Sequence, residues 1–380
     1  MTNQPVLHNI RILDFTWVLA GPYATRLLAD FGAEVIKVQP LLPREEDDFA
    51  RGYYNTWNRN KLGITLDMNK PDGIALAKKL VLSSDAVVEN FTPRVMANWG
   101  LDYANLKAIK PDIIMLSLST MGNTGSRRDY TGFGPTIQAF SGLTHLTAYP
   151  GGPPLGPGTA YADHIGGLFA CLALLGALEY RRRTGEGQYI DVSQVEAMTS
   201  LLGDAFVPGK ETAAAPCGAY RCKGEDRWCA LAVFTDEEWR GFKKALGSPP
   251  WADGKKFAAL ASRLKNKKKL DSLIEDWTQQ RTAEEAMTLL QKNGVAAGVV
   301  QDARDLAQDP QLSHRGFFIE LDHPQMGRTV SDATPVRLSD TPPRYSRPAP
   351  LPGQDNDYVY GQLLGLSDSE MNKLKKQKVI

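Results

Sequence analysis

Asp163 lies in the run Tyr161-Ala162-Asp163-His164-Ile165-Gly166-Gly167, between a Gly/Pro-rich stretch and an apolar segment. A carboxylate at such a junction has two uses. It can cap a helix by accepting the free amide protons of the first turn. The same helix end keeps the carboxylate ionised, and neighbouring glycines, here Gly166 and Gly167, let a ligand come close, so that the aspartate can act as a nucleophile. His145 and His164 are the nearby candidate bases, although a structural role is the simpler reading of each. Other chemistries lack their signatures. Leu19-Ala20-Gly21-Pro22 holds a single glycine where a dinucleotide site needs three, and no phosphate-binding P-loop, serine elbow or HExxH pair occurs. Cys171, Cys217, Cys222 and Cys229 lack the paired spacing of a zinc site, so no metal is expected and buried thiols beside a strand are the plainer reading.

The elements that must position Asp163 alternate between two periods. Residues 10–15, 34–38, 86–89 and 113–118 read as buried strands, and 22–30 and 71–82 as helices. This order predicts an α/β fold with a parallel, Rossmann-like sheet, whose ligands sit beyond the carboxyl ends of the strands. Residues 120–160 carry nine glycines and five prolines with little periodicity. A loop that long is functional or disordered, and the apolar helix expected directly after it, 164–183, favours function. A strand at 188–192 and a helix to about 206 follow. Strands at 228–233 and 294–300 among Lys/Glu-rich helices mark a second, small α/β domain. The basic run 263–269 reads as a solvated helix face rather than an anion patch. The domains expected are therefore 1–205, the N-terminal part of a large domain; 222–325, the small domain; and 326–380, a proline-rich crossing (342–352) with the C-terminal part of the large domain.

Charge and composition restrict the partners. Of 380 residues 42% are hydrophobic and 23% charged, which is globular composition rather than disorder. The net charge of +1 argues against nucleic acid, yet leaves room for a local basic groove around a phosphorylated ligand. The apolar run 165–178 is shorter than the ~20 residues that span a bilayer, so it reads as a buried helix, with no membrane partner and a cytoplasmic location expected.

Several short motifs occur in order along nearly the whole chain. They are Gly21-Pro22; Gly32-Ala33-Glu34-Val35-Ile36-Lys37-Val38; Asn58-Arg59-Asn60-Lys61; and Glu89-Asn90-Phe91-Thr92-Pro93. Further along come Tyr161-Ala162-Asp163, Thr184-Gly185-Glu186-Gly187-Gln188, Asp309-Pro310-Gln311-Leu312 and Ala349-Pro350-Leu351-Pro352-Gly353-Gln354. Together the sequence resembles the family III CoA-transferases, which include formyl-CoA, carnitine-CoA and benzylsuccinate CoA-transferases. That resemblance implies two interlocked ring-like chains, either a homodimer or a heterodimer with a related chain. Each has a Rossmann-like large domain built from both termini and a small domain inserted between them. It implies transfer of CoA from an acyl-CoA thioester, a succinyl-CoA type donor among the candidates, to a free carboxylic acid. Asp163 would form first a mixed anhydride and then an aspartyl-CoA thioester. Coenzyme A or acyl-CoA would be a substrate, with no cofactor bound permanently.

Carried over residue by residue, the resemblance puts CoA against Val18, Leu19, Asn90 and Phe91, with Lys61 and Arg94 as phosphate partners or else solvent cations. Gln39-Pro40 stands where relatives often have Glu-Arg, so one phosphate contact is lost or replaced by Arg44, Arg51, Arg127 or Arg128. The related α-methylacyl-CoA racemases use a histidine in the Gly/Pro loop, and Phe133 occupies that position here. Phenylalanine cannot move a proton, so racemase or isomerase chemistry is the alternative reading; a non-catalytic CoA-binding subunit of a heteromer is another. Glu211-Thr212-Ala213-Ala214-Ala215-Pro216 replaces a glycine run of the formyl-CoA transferases, which points to a larger acid, such as an aryl- or alkyl-succinate.

Overall fold

The structure is a computed structural model that describes residues 4–42, 52–149, 151–206 and 214–380. Arg44, Arg51 and residues 211–213 lie outside the described residues. The chain forms two compact units, one of residues 1–206 with 314–380 and one of residues 207–313.

In the first unit the chain runs β1 (Arg11–Asp14), α1 (Ala20–Asp30), β2 (Glu34–Gln39), α2 (Gly52–Asn58), β3 (Leu62–Thr65), α3 (Pro71–Leu82) and β4 (Ala86–Glu89). It continues through α4 (Arg94–Asn98), α5 (Tyr103–Ile109), β5 (Ile114–Ser119), α6 (Gly134–Phe140), α7 (Leu143–Leu146), α8 (Tyr161–Thr184), β6 (Tyr189–Ser193) and α9 (Gln194–Ser200). The six strands are parallel in the order β3-β2-β1-β4-β5-β6, so the order reverses between β1 and β4. Such a sheet is covered by helices on both faces, which is why its inner strands are apolar on successive residues. Along β1, Ile12 packs into a core with Val35, Ala24, Leu28, Ala170 and Leu174, whereas Leu13 packs into a second core with Ile36, Val87, Leu76 and Leu80. Each such side chain, fully buried, contributes roughly 1.5–3 kcal/mol.

The expected buried helix at 164–183 is α8, and it differs from expectation. One face, Gly166, Gly167, Ala170, Leu174, Ala177 and Leu178, is buried. Gly167 allows the close crossing with α1, since a Cβ there would stand 2.7 Å from the Ala20 carbonyl oxygen. The two glycines thus serve helix packing, not the access of a ligand as the sequence suggested. The other face exposes Leu168, Leu172 and Leu175, with Leu172 67% accessible. Among the described residues α8 is the one helix long and apolar enough to cross a membrane. The Gly/Pro stretch before it contains α6 and α7, short helices that its composition hid.

The second unit holds the antiparallel sheet of β7 (Cys217–Arg221), β8 (Trp228–Ala232) and β9 (Ala296–Val299). It is packed by α10 (Asp236–Ala245), α11 (Leu260–Lys265), α12 (Lys267–Thr278) and α13 (Ala283–Lys292), with α14 (Ala303–Ala307) and α15 (Pro310–His314) following. Cys222 and Cys229 are buried while Cys217 is exposed. The basic run is only partly a solvated face. Arg263 is fully buried, stacks 4.6 Å over Trp239 and donates to the Ala215 carbonyl at 2.8 Å.

Residues 314–325 differ from the expected division, because they belong with the first unit. There β10 (Phe318–His323) pairs with β11 (Gly327–Asp332), and Asp332 takes a two-pronged ion pair from Arg26, both contacts at 2.9 Å. Arg59 donates to Ser331 from the same side. The proline-rich crossing is pinned by Asn60, whose amide donates to the Arg347 carbonyl at 3.0 Å. The chain closes with a wide helical turn (Asp357–Leu363) and α16 (Asp368–Lys376).

Candidate active site

The Asp163 backbone is in the first turn of α8, two residues past its start at Tyr161, and Ala160 is the residue before the helix. Ala160 has no side chain to cap this helix end, and the Asp163 carboxylate accepts from its own backbone amide in the first turn. That carboxylate lies against α6. An added Cβ on Gly134 would meet Asp163 Oδ2 at 2.5 Å and the Ala160 Cβ at 3.2 Å. The helix end is expected to keep this group ionised; burial works against that and pushes the pKa up to about 6, opposed by the pull of His164. At neutral pH the group is still mostly ionised, poorly solvated and therefore reactive.

His164 is engaged within the protein. Its Nδ1 lies 2.8 Å from the Ala160 carbonyl, and its ring packs edge-on to Tyr23 and Trp57, with centroids 5.1 and 5.2 Å away. Tyr53 belongs to the same aromatic group, 6.3 Å from Trp57. Burial raises its phenol pKa, and the negative charge of Asp163 raises it further. Tyr53 also lines the main cavity, and so joins Asp163 to it.

That cavity, of about 760 Å³, opens where the strand order reverses. Val18 and Phe91 line it, as do Trp17, Lys37, Gln39, Trp99 and Lys70. Val18 holds a left-handed backbone (φ 62°), which bends the chain sharply between β1 and α1. Asn90 fastens this bend from the end of β4. Its Oδ1 accepts from the Trp17 amide at 2.9 Å, and its Nδ2 donates to the Trp17 carbonyl at 3.0 Å. Leu19 is buried at the start of α1. It is not among the cavity's lining residues.

Two expected phosphate partners stand elsewhere. Lys61 is fully buried, and its three protons go to Asp14 at 3.0 Å, the Pro22 carbonyl at 3.0 Å and Asn58 at 2.9 Å. It is neither a solvent cation nor free for a phosphate. Burial brings its pKa down to about 7, against the pull of Asp14 and with a push from Lys37. Burial alone would raise Asp14, but Lys37 and Lys61 hold it well below the usual carboxylate range. The cluster anchors the turn after β1, because Asp14 also accepts from the Thr16 amide at 2.8 Å. Arg94 is exposed, 3.6 Å from Asp129, and lines with Arg128 a different cavity of about 450 Å³. Arg127 is exposed as well.

Phe133 immediately precedes Gly134, is 60% exposed and stands edge-on to Trp17 at 6.3 Å. A hydrocarbon ring thus stands one residue before the glycine that lies against the carboxylate. Two contributors escaped sequence reasoning, Gly134 and Tyr53, and Gln39, singled out only for a lost phosphate contact, has a role of its own. Gln39 donates to Tyr54 at 2.7 Å, and its buried Oε1 has no hydrogen-bond partner among the described residues, leaving an acceptor in the cavity wall.

A Rossmann-type sheet with a cavity at its reversal point and a half-buried carboxylate nearby has the architecture of an α/β enzyme whose ligand sits beyond the strand ends. The chain belongs to CoA-transferase family III, whose sequence profile it matches over residues 7–356. It is 33% identical to a succinyl-CoA–D-citramalate CoA-transferase of Chloroflexus aurantiacus, over 98% of both chains. It is 34% identical over 98% of its length to a probable CoA-transferase of Mycobacterium tuberculosis, and spans 50% of that longer protein. A solved CAIB/BAIF family protein from Brucella suis superposes with a TM-score of 0.86 at 28% identity, covering 95% of this chain and all of that one. The protein is accordingly a CoA-transferase.

Proposed function

We propose that the enzyme moves CoA from a succinyl-CoA type donor to a second carboxylic acid through covalent intermediates on Asp163. The observation that carries this is the Asp163 carboxylate, partly desolvated against the backbone of Gly134 and joined through Tyr53 to the main cavity. A carboxylate oxygen attacks the thioester carbonyl carbon, the C–S bond breaks, and CoA leaves as its thiolate. The product is a mixed anhydride between Asp163 and the acyl group. The thiolate then attacks the aspartyl carbonyl, releasing the donor acid and leaving an aspartyl-CoA thioester. The acceptor carboxylate repeats the two steps in reverse order, so thioester energy passes between acids without ATP.

CoA would lie along the bend held by Asn90, with Val18 and Phe91 against it and the thioester toward Asp163. The donor class is supported by the Chloroflexus relative, whose name gives succinyl-CoA. An alkyl- or aryl-succinate is the acceptor proposed. Racemase chemistry is disfavoured by Phe133, which offers no proton acceptor beside the site. The exposed Leu168, Leu172 and Leu175 of α8 favour an interlocked dimer, with itself or with a related chain, and a cytoplasmic location suits soluble acid substrates. Asp163→Ala should abolish transfer while CoA binding persists; retention of even a tenth of the activity would refute the assignment.

A further inference from the structure

A second region of the main cavity is basic, and one of its residues holds an unfavourable backbone. Lys70, Lys375 and Lys378 all line the cavity, beside Asp67, Asn69 and Ile380. Lys378 follows α16 with φ 54°, the left-handed conformation that glycine normally supplies at a helix end. The pattern is a Schellman stop, since the Val379 amide donates to the Leu374 carbonyl at 2.9 Å and the Lys378 amide to the Lys375 carbonyl at 3.0 Å. A lysine there is less favourable than glycine, whose missing Cβ removes the clash with the following carbonyl. Strain kept where a commoner residue would relieve it points to a use for the side chain.

The segment is firmly placed. Val379 and Ile380 are buried in the core with Leu66 and Met68, and the Asp67 amide donates to the Val379 carbonyl at 2.8 Å. Lys70 donates to the carbonyls of Gln377 at 2.5 Å and Lys378 at 2.9 Å, which ties the start of α3 to the end of α16. It also lies 3.7 Å from Asp67. Lys375 is 3.3 Å from Asp357, an exposed pair weak enough to exchange for a ligand anion. Lys70 therefore pins the segment, and Lys375 and Lys378 present charge to the cavity.

Lys70 follows β3, the edge strand, and holds the end of α16 with Lys375 and Lys378 beside it, whereas Asp163 belongs to α8, which packs on β5. Four strand spacings separate β3 from β5, roughly 19 Å. A ligand that reacts at Asp163 and is held at the lysines must be long and carry its negative charge at the far end. Resting on the CoA-transferase reading above, we infer that Lys378 and Lys375 grip the phosphates of the CoA nucleotide, and that the strained turn at Lys378 exists to aim that cation.

The test is titration calorimetry of the wild type, Lys378→Gly and Lys375→Gln/Lys378→Gly with CoA and with 3′-dephospho-CoA. Lys378→Gly should melt no lower than the wild type, because glycine relieves the turn, yet bind CoA about tenfold more weakly, with a further loss in the double variant. Loss for CoA alone assigns the grip to the 3′-phosphate. Equal loss for both ligands assigns it to the diphosphate. Wild-type affinity for both in the double variant overturns the inference while leaving the transferase reading intact. Failure of the wild type to bind CoA at all overturns both.

Discussion

A Cβ added to Gly134 would stand 2.5 Å from Oδ2 of Asp163, closer than two such atoms can lie. The start of α6 is therefore shaped to the carboxylate of α8, and the pair can be separated by one methyl group. Gly134→Ala should push the carboxylate from its seat. The fold should survive, since a side-chain end can move, but transfer should fall at least about a hundredfold with little change in CoA affinity. Steady-state kinetics alongside a CoA titration checks this. A variant within about threefold of wild-type turnover would show that the seat is unimportant.

Burial of Asp163 also makes a prediction about stability. Its pKa in the folded chain, about 6, lies above the ordinary 3.8, so the ionised form is penalised on folding. The penalty is absent below about pH 4 and complete above about pH 6. Asp163→Asn should thus raise stability at pH 7.5 by about 1–2 kcal/mol, allowing for partial solvent screening, and bring no gain at pH 4. Denaturant melts at the two pH values decide it. An Asn variant less stable at pH 7.5 would mean that the carboxylate is a structural group.

Asn90 makes two hydrogen bonds to the backbone of Trp17 across the point where the sheet order reverses. Asn90→Ala should remove about 1–3 kcal/mol of stability and loosen the bend at Val18. The KM for the acyl-CoA donor should rise about tenfold while kcat falls much less. An unchanged KM would remove the bend from the binding site.

The apolar face of α8 predicts association. Sedimentation should show a stable dimer at micromolar concentration, and Leu172→Glu, a charge placed on that face, should shift it toward monomer. A wild-type monomer at that concentration would count decisively against the interlocked arrangement.

Much of this was legible in the sequence because local physics dominates there. The strand at 86–89 and the helix at 71–82 follow from an apolar run and from a proline at a helix start, and both have the expected bounds. Asp163 stood out because a carboxylate at the start of an apolar helix, next to glycines, can either cap the helix or react. What remained hidden depends on chain segments far apart. Lys61 reads as an ordinary cation until Asp14, 47 residues earlier, is brought to its ammonium. Gly166 and Gly167 look like room for a ligand until Gln194 of α9 packs on the first and α1 crosses the second. Tyr53 and Gly134 carry no local signal, since each matters only through its distance from Asp163. The hairpin of β10 and β11 joined the first unit through Arg26 and Arg59, which no reading of its own residues could supply.

The central claim is that Asp163 becomes covalently modified during turnover. Burial pushes the Cys171 thiol up to about 11, so the nearby cysteine stays protonated and is a poor rival nucleophile. The direct measurement is peptide mass spectrometry after mixing enzyme with succinyl-CoA, with hydroxylamine or borohydride added during turnover. The account predicts loss of activity only when the donor is present, and a modification at Asp163 on the peptide spanning 161–180. Donor-independent inactivation, no modification, or modification confined to Cys171 would contradict it.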